Sequence, residues 1–288
     1  MCIRARTKAV WPSTGNYCRG GAYISALLAC NAIAILPEEM SQERFEWLHE
    51  IAGEVIATPG CESNVKEIFD KCWELRESGQ DLRIFNQFEE MGNPMWHYSV
   101  TGHAVETLLD QYLAGGKRFA GYVSSSGSGG TLGAGYYLKH KFPRSQVVAA
   151  EALQCATLLY NGFGAHRIEG IGDKHVPWVH NAKNTDMIIA IDDNAPIGVM
   201  RLFNEEAGQE HLVSQGVPAD LVQQLPILGI SSISNMLSAI KMAKYYELGR
   251  NDVVMTVSTD SMELYESRVV EQQAAHGTLT DVQAAGIA

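Results

Sequence analysis

A glycine loop set between a strand and a helix constrains this chain more than any other feature. The segment 124–131, SSSGSGGT, follows an apolar run at 119–123 and leads into an amphipathic run at 132–142. Glycines let the backbone turn at positive φ and approach a ligand closely, and successive N–H groups at a helix start cradle an anion. Ser126, Ser128 and Thr131 add hydroxyls to that concavity, so a phosphate fits it. The dinucleotide pattern GxGxxG is met only in part, by Gly127, Gly129 and Gly130, and no Lys-Ser or Lys-Thr pair follows as in a P-loop. The alternative is a tight strand-to-helix turn without a ligand. A second loop, STGNY at 13–17, follows the apolar run 9–11 and precedes a helix expected over 20–29. Its small hydroxyl and amide side chains offer donors to a carboxylate. The two loops together point to a substrate with a carboxylate and a cofactor with a phosphate.

The 288 residues, 46% of them hydrophobic, suffice for a full core and two domains. A formal net charge of -11, with lysines and arginines scattered, argues against nucleic acid or an anionic membrane surface as partner. The 6 cysteines (Cys2, Cys18, Cys30, Cys61, Cys72 and Cys155) show no zinc spacing. Residues 1–19 carry basic residues but no apolar leader core, and no apolar stretch is long enough to span a bilayer. These features give a cytoplasmic protein with free thiols as the expectation. Cys18, beside the STGN loop, is either a reactive thiol or a small buried neighbour.

Strand and helix patterns alternate along the chain. Strands are expected at 32–36, 54–58, 83–85, 119–124, 147–150, 187–191 and 253–257. Helices are expected from the Ser41 N-cap, from Ser63 with Phe69 and Trp73 in its apolar stripe, from Asn93-Pro94 to Leu113, and over 196–207 and 233–248. Such alternation implies parallel sheets covered on both faces. A domain boundary is placed near Asn93, and the small, polar tail after Gln272 reads as partly disordered.

Six segments in order resemble fold-type II pyridoxal-phosphate enzymes, specifically the cysteine synthase and cystathionine β-synthase group. They are STGN at 13–16, LPEEMSQERFEWLHEIAGEVIATPG at 36–60, NQFEEMGNPMWHYSVTGHAV at 86–105, the loop 127–131, RIEGIGDKHVP at 167–177 and LGISSISN at 228–235. The resemblance covers roughly residues 9 to 268. It implies an α/β fold of two open, mainly parallel domains like the tryptophan synthase β subunit. Residues 1–92 would be the remnant of an incomplete N-terminal domain with the substrate loop, and 93–288 a larger domain with the phosphate cradle. It also implies a homodimer acting on a small amino acid.

The resemblance assigns the phosphate of pyridoxal 5'-phosphate to Gly127, Ser128, Gly129, Gly130 and Thr131, and the ring's 3′ oxygen to Asn16. The substrate carboxylate falls to Ser13, Thr14, Gly15 and Gln87. Thr259, with Ser258 close behind, is the positional match for the hydroxyl at the pyridine nitrogen. A neutral hydroxyl there is expected to leave the ring unprotonated and to favour β-elimination or β-replacement on serine, cysteine or an O-acylserine, through an aminoacrylate. Asp173 stands in GIGDKH where relatives carry small residues, and is a candidate acid or base. Tyr17-Cys18 replaces the usual Thr-Gly. The family's Schiff-base lysine lies in a motif upstream of the substrate loop. Lys8 has none of that motif's features, and Lys66, Lys71, Lys139, Lys141, Lys241 and Lys244 match nothing. The chain thus reads as an N-terminally truncated member that binds the cofactor weakly and forms no specific lysine adduct.

Two other readings stand beside this one. A non-catalytic fragment would keep the phosphate cradle without the lysine. A nucleotide-binding Rossmann-like domain would use Glu151, at the end of the strand after the glycine loop, on a ribose. His97, His103, His166, His175 and His180 have no metal-ligand spacing, and His97 and His103 read as structural or solvent-facing.

Overall fold

The structure, a computed structural model, describes residues 7–288, so Cys2 and the start of the expected leader-free segment lie outside the described residues. The first part alternates β1 (Lys8–Pro12), α1 (Asn16–Leu27), β2 (Ala32–Pro37), α2 (Gln42–Ile51), β3 (Glu54–Thr58), α3 (Val65–Glu77) and β4 (Leu82–Ile84). A broken helix then crosses over: α4 (Gly92–Trp96), a π-helical turn (His97–Thr101) and α5 (Gly102–Tyr112). The second part runs through β5 (Arg118–Ser125), α6 (Leu132–Lys141), β6 (Gln146–Ala152), α7 (Thr157–Tyr160), β7 (Met187–Ile191), α8 (Asn194–Asn204), α9 (Glu206–Ser214), α10 (Ala219–Val222), α11 (Ile230–Tyr245) and β8 (Asp252–Thr256). Helices α12 (Glu266–His276) and α13 (Asp281–Ile287) follow.

Two all-parallel, four-stranded sheets result, in the orders β3-β2-β1-β4 and β7-β6-β5-β8. Strand β2 (AIAILP) is buried along its whole length, as a strand covered on both faces must be. Cys18, Ala22 and Leu48 of α1 and α2 pack on one face of the first sheet, and Ile68, Cys72 and Leu75 of α3 on the other. The second sheet has α5 and α6 on one face (Val105, Leu109, Ala134, Leu138) and α8 and α11 on the other (Ile197, Met200, Ile230, Ile233). In each sheet the first strand in sequence sits between the second and the last. The crevice opens where the order reverses, beyond the carboxyl ends of β1 and β5, and ligands bind there in open α/β sheets.

The expected strands all form, with no end shifted by more than two residues. Differences lie elsewhere. The helix expected over 196–207 ends at Asn204, because Glu205 is extended (φ -101°, ψ 145°) and its carboxylate takes the Arg201 guanidinium and the Leu279 N–H. The tail is ordered rather than loose: Leu279 and Ala284 enter the main core, and a reciprocal Thr280–Gln283 capping box starts α13. Trp73 is not core; it is 54% exposed and lies under the Arg76 guanidinium at 4.7 Å. Among the described residues no single helix is long and apolar enough to cross a membrane.

Candidate functional site

Both donor-rich loops open onto one cavity of about 320 Å³ between the two sheets. From the first sheet come Ser13, Thr14, Asn16, Tyr17 and Gln87. From the crossover and the second sheet come Asn93, His97, Ser124, Ser125, the loop from Gly127 to Thr131, Gly170, Ile171, Ser231, Asn235, Val257 and Thr259. The sequence expectations placed Ser13, Thr14, Asn16, Gln87, Gly127, Ser128, Gly129, Gly130, Thr131 and Thr259 in one site, and all of these line the cavity.

The loop after β1 presents side chains. Gly15 has φ +134°, and a Cβ there would lie 2.5 Å from Arg44 Nη1, so only glycine lets the chain turn into α1 at this point. The Ser13 hydroxyl accepts from the Gly15 N–H at 2.8 Å, which leaves its own proton free to donate. Gln87 makes only a long contact, 3.4 Å, to the Pro12 carbonyl. Burial pushes the Tyr17 phenol up to about 12, with Glu90 adding to the effect, so this ring stays neutral in the wall.

The loop after β5 presents backbone. Among the described residues, none of the N–H groups of Gly127, Ser128, Gly129, Gly130 and Thr131 has an acceptor. They precede the first turn of α6, whose N-terminal dipole favours an anion. The loop is held from outside: Asn93 donates to Ser128 Oγ at 2.9 Å, and Ser124 to Thr131 Oγ1 at 2.6 Å. A Cβ on Gly130 would collide with the Asn93 amide. Asn235 stitches the strand ends together, accepting from the Ser125 N–H and hydroxyl at 2.7 Å each and donating to the Val257 carbonyl at 2.9 Å.

Three of the expected site residues do not line the cavity. Gly15 shapes its loop without reaching the space, and Ser258 is exposed. Asp173 lies beyond the Gly170-Ile171 wall in a small neighbouring hollow with Glu151, Cys155 and His175. Its carboxylate accepts from the His175 N–H at 3.0 Å, and burial pushes it up to about 6. Glu151, the candidate ribose contact, is spent capping α7 through the Leu158 and Leu159 N–H groups, both at 2.9 Å. Cys18 is fully buried, bonded to the Gly15 carbonyl, and burial pushes its thiol up to about 11; it is the buried neighbour, not a reactive thiol.

Sequence reasoning missed part of the wall. His97 lines the cavity instead of facing solvent or core. Its Nδ1 meets Thr101 Oγ1 at 3.0 Å across the π-helical turn, and burial lowers its basicity, which keeps the ring neutral. Ser231 and Asn235 stood in the quoted LGISSISN segment without a role. Behind the wall, Arg44, Glu169, Asp260 and Tyr265 form a buried ion cluster that joins the two sheets. Its signal was present: Arg44 shares the buried face of α2 with Leu48, four residues on, where a lone charge must find partners.

Residues 4–210 match the family described as pyridoxal-phosphate dependent enzyme. A cysteine synthase of Staphylococcus aureus is 32% identical over 266 residues, which cover 92% of this chain and 77% of that protein. A hydrogen sulfide-producing enzyme from Fusobacterium nucleatum superposes with a TM-score of 0.75 at 25% identity, over 92% of this chain and 81% of that one. An O-acetylserine dependent cystathionine beta-synthase from Helicobacter pylori gives 0.75 at 25% identity, over 92% and 78%.

Proposed function

Because the chain belongs to the pyridoxal-phosphate-dependent enzyme family, we propose that it eliminates or replaces the β-substituent of a small L-amino acid of the serine, cysteine or O-acylserine type. The observation that carries this reading is the pairing of a backbone-donor loop and a side-chain-donor loop on one cavity. The names of the relatives, cysteine synthase and O-acetylserine dependent cystathionine beta-synthase, support the substrate class.

The residues present fit pyridoxal 5'-phosphate. The partnerless N–H groups of Gly127, Ser128, Gly129, Gly130 and Thr131 suit its phosphate, Asn16 its ring oxygen and Thr259 its ring nitrogen. When bound, the group supplies an electron sink for charge developing at the substrate Cα. The chain's own residues then orient and protect. Ser13, Thr14 and Gln87 take the substrate carboxylate, and Tyr17 and His97 narrow the space beside it. Asp173, the candidate acid or base, is separated from the cavity by the Gly170-Ile171-Gly172 turn and has no reach to a group bound there.

No lysine lines the cavity among the described residues. Lys8 pairs with Glu54 at the amino end of β1, Lys174 with Glu67, Lys139 with Asp186 and Lys141 with Glu106. The amine used by this chemistry must therefore come from elsewhere than this wall. The test supplies pyridoxal 5'-phosphate, O-acetyl-L-serine and sulfide to the chain, with and without a small primary amine. Cysteine is expected only with the amine, and borohydride reduction is expected to leave no stoichiometric pyridoxyl-lysine. One stoichiometrically labelled lysine would overturn the reading of the wall, and absence of cysteine under both conditions would remove the reaction class.

A further inference from the structure

A second cavity, of about 410 Å³, lies in the seam between the two halves and takes no part in the reading above. The loops after β2 and β3 give it Glu38, Glu39, Met40 and Glu62. The second half adds Arg167, Glu169, Arg268 and Glu271, with Ile197 and Ile230 beside Met40 as its apolar part. His166 also borders it but brings no charge, because its Nδ1 accepts from the Ile168 N–H at 3.2 Å and burial lowers the ring to about 4.

The charges around this space are unequally matched. Glu169 accepts from Arg44 Nε at 3.1 Å and from Arg268 Nε at 2.7 Å. Arg268 spends its other nitrogens on the Glu271 carboxylate, at 2.9 and 3.0 Å, and on the Glu39 carbonyl at 2.6 Å. Arg167 is held by Asp193 at 2.8 Å. Both guanidiniums are therefore committed. Glu62 is only 4% exposed, yet its carboxyl takes a hydrogen bond or ion pair from no other described residue. A buried carboxyl without a partner is costly, and this one borders a space that a ligand can enter.

Carboxylates outnumber guanidiniums here, so the cavity calls for positive charge. Among the described residues no group of metal-ligating side chains stands close enough together to hold a metal ion. The apolar part suits a hydrocarbon body. We propose that the seam cavity binds an organic ammonium of the size of a short aliphatic diamine, with one end on the Glu62 carboxylate and the other toward Glu38 and Glu39. An ammonium has three donors and no acceptor, which is what a carboxylate without a partner takes. Such a ligand ties the loops after β2 and β3 to α12 and relieves the repulsion between Glu62 and Glu169. Burial, and then Glu169, push the Glu62 carboxyl up to about 8, with Arg268 opposing and Glu39 adding. Near neutral pH the empty site thus holds a proton that the ammonium displaces.

Isothermal titration of the full chain with 1,4-diaminobutane tests this, and needs no pyridoxal 5'-phosphate. Saturable binding is expected, with an affinity that rises about tenfold per pH unit below about pH 8 and levels off above it. Glu62→Gln keeps the side chain's size but cannot ionise; it should weaken binding at least about tenfold near pH 8 and flatten the pH profile. Glu39→Gln, on the exposed rim, should cost about threefold and keep the profile. Thermal melts of each protein, with and without the diamine, establish that all are folded. No saturable binding to folded wild type, or an unchanged affinity in Glu62→Gln, would overturn the inference. Equal saturation by magnesium chloride would also overturn it, by making the seam a metal site.

Discussion

The loops after β1 and β5 occupy the same topological position, yet they offer the cavity different kinds of donor. The β5 loop works through its backbone: five successive N–H groups lie ahead of a helix, with the side chains turned to bracing. The β1 loop works through Ser13, Thr14 and Asn16, and its glycine serves only to make the turn. Backbone donors suit an anion that never leaves, since they cost little entropy to hold. Side-chain donors can be exchanged one at a time, which suits the group that varies between substrates.

If that contrast holds, the largest loss should follow from closing the backbone loop. Gly130→Ala drives a methyl into Asn93 and should weaken pyridoxine 5'-phosphate binding by about 100-fold, or about 3 kcal/mol, by isothermal titration. A loss below tenfold would mean that the loop rearranges freely. On the other side, Thr14→Val should raise the dissociation constant of L-serine roughly tenfold, about 1.5 kcal/mol, with phosphate-ligand affinity unchanged. Equal losses for both ligands would erase the division of labour.

The seam between the two halves offers a third probe. Glu62, buried beside Glu169, is pushed up to about 8 by burial and then by that neighbour, with Arg268 opposing and Glu39 adding. Raised above the ordinary carboxyl value of 4.5, it binds more protons in the folded state. Its contribution is therefore complete below pH 4.5 and is lost as pH rises through about 8. Glu62→Gln should melt several degrees higher than wild type at pH 8.5 and nearly level with it at pH 4.5. A constant difference would exclude titration of Glu62. The smallest effect is expected at Ser128→Ala, about threefold on pyridoxine 5'-phosphate, since the N–H at that position survives.

The same contrast explains what the sequence made legible. A loop that works through its backbone must spell its glycines, so Gly127, Gly129 and Gly130 announced the turn with its open N–H groups, and the strand before it and the helix after it came with it. Asn16 and Gln87 were found through motif order rather than chemistry. His97 escaped because a regular helical count gave no reason for it to face a ligand. The Arg44 cluster escaped because Glu169, Asp260 and Tyr265 lie 125 to 221 residues away from Arg44 in sequence, and no local pattern pairs them. The tail misled for a related reason: its small residues lower its apparent hydrophobicity, while Leu279 and Ala284 alone are enough to dock it.

The π-helical turn at His97–Thr101 carries a last consequence, in the phase of a helix. An α-helix advances about 100° per residue, so one residue wound in beyond the regular turn rotates everything on one side of it by about that angle relative to the other. Downstream, Val105 and Leu109 keep their stripe against the second sheet. Upstream, Asn93 points at Ser128 and His97 reaches the cavity. The two halves of this helix thus answer to different surfaces, and the turn is the splice that lets one continuous rod serve both. Deleting a single residue within 98–100 would restore a regular helix, and in doing so would swing Asn93 away from the loop it braces while leaving the core contacts of α5 in place.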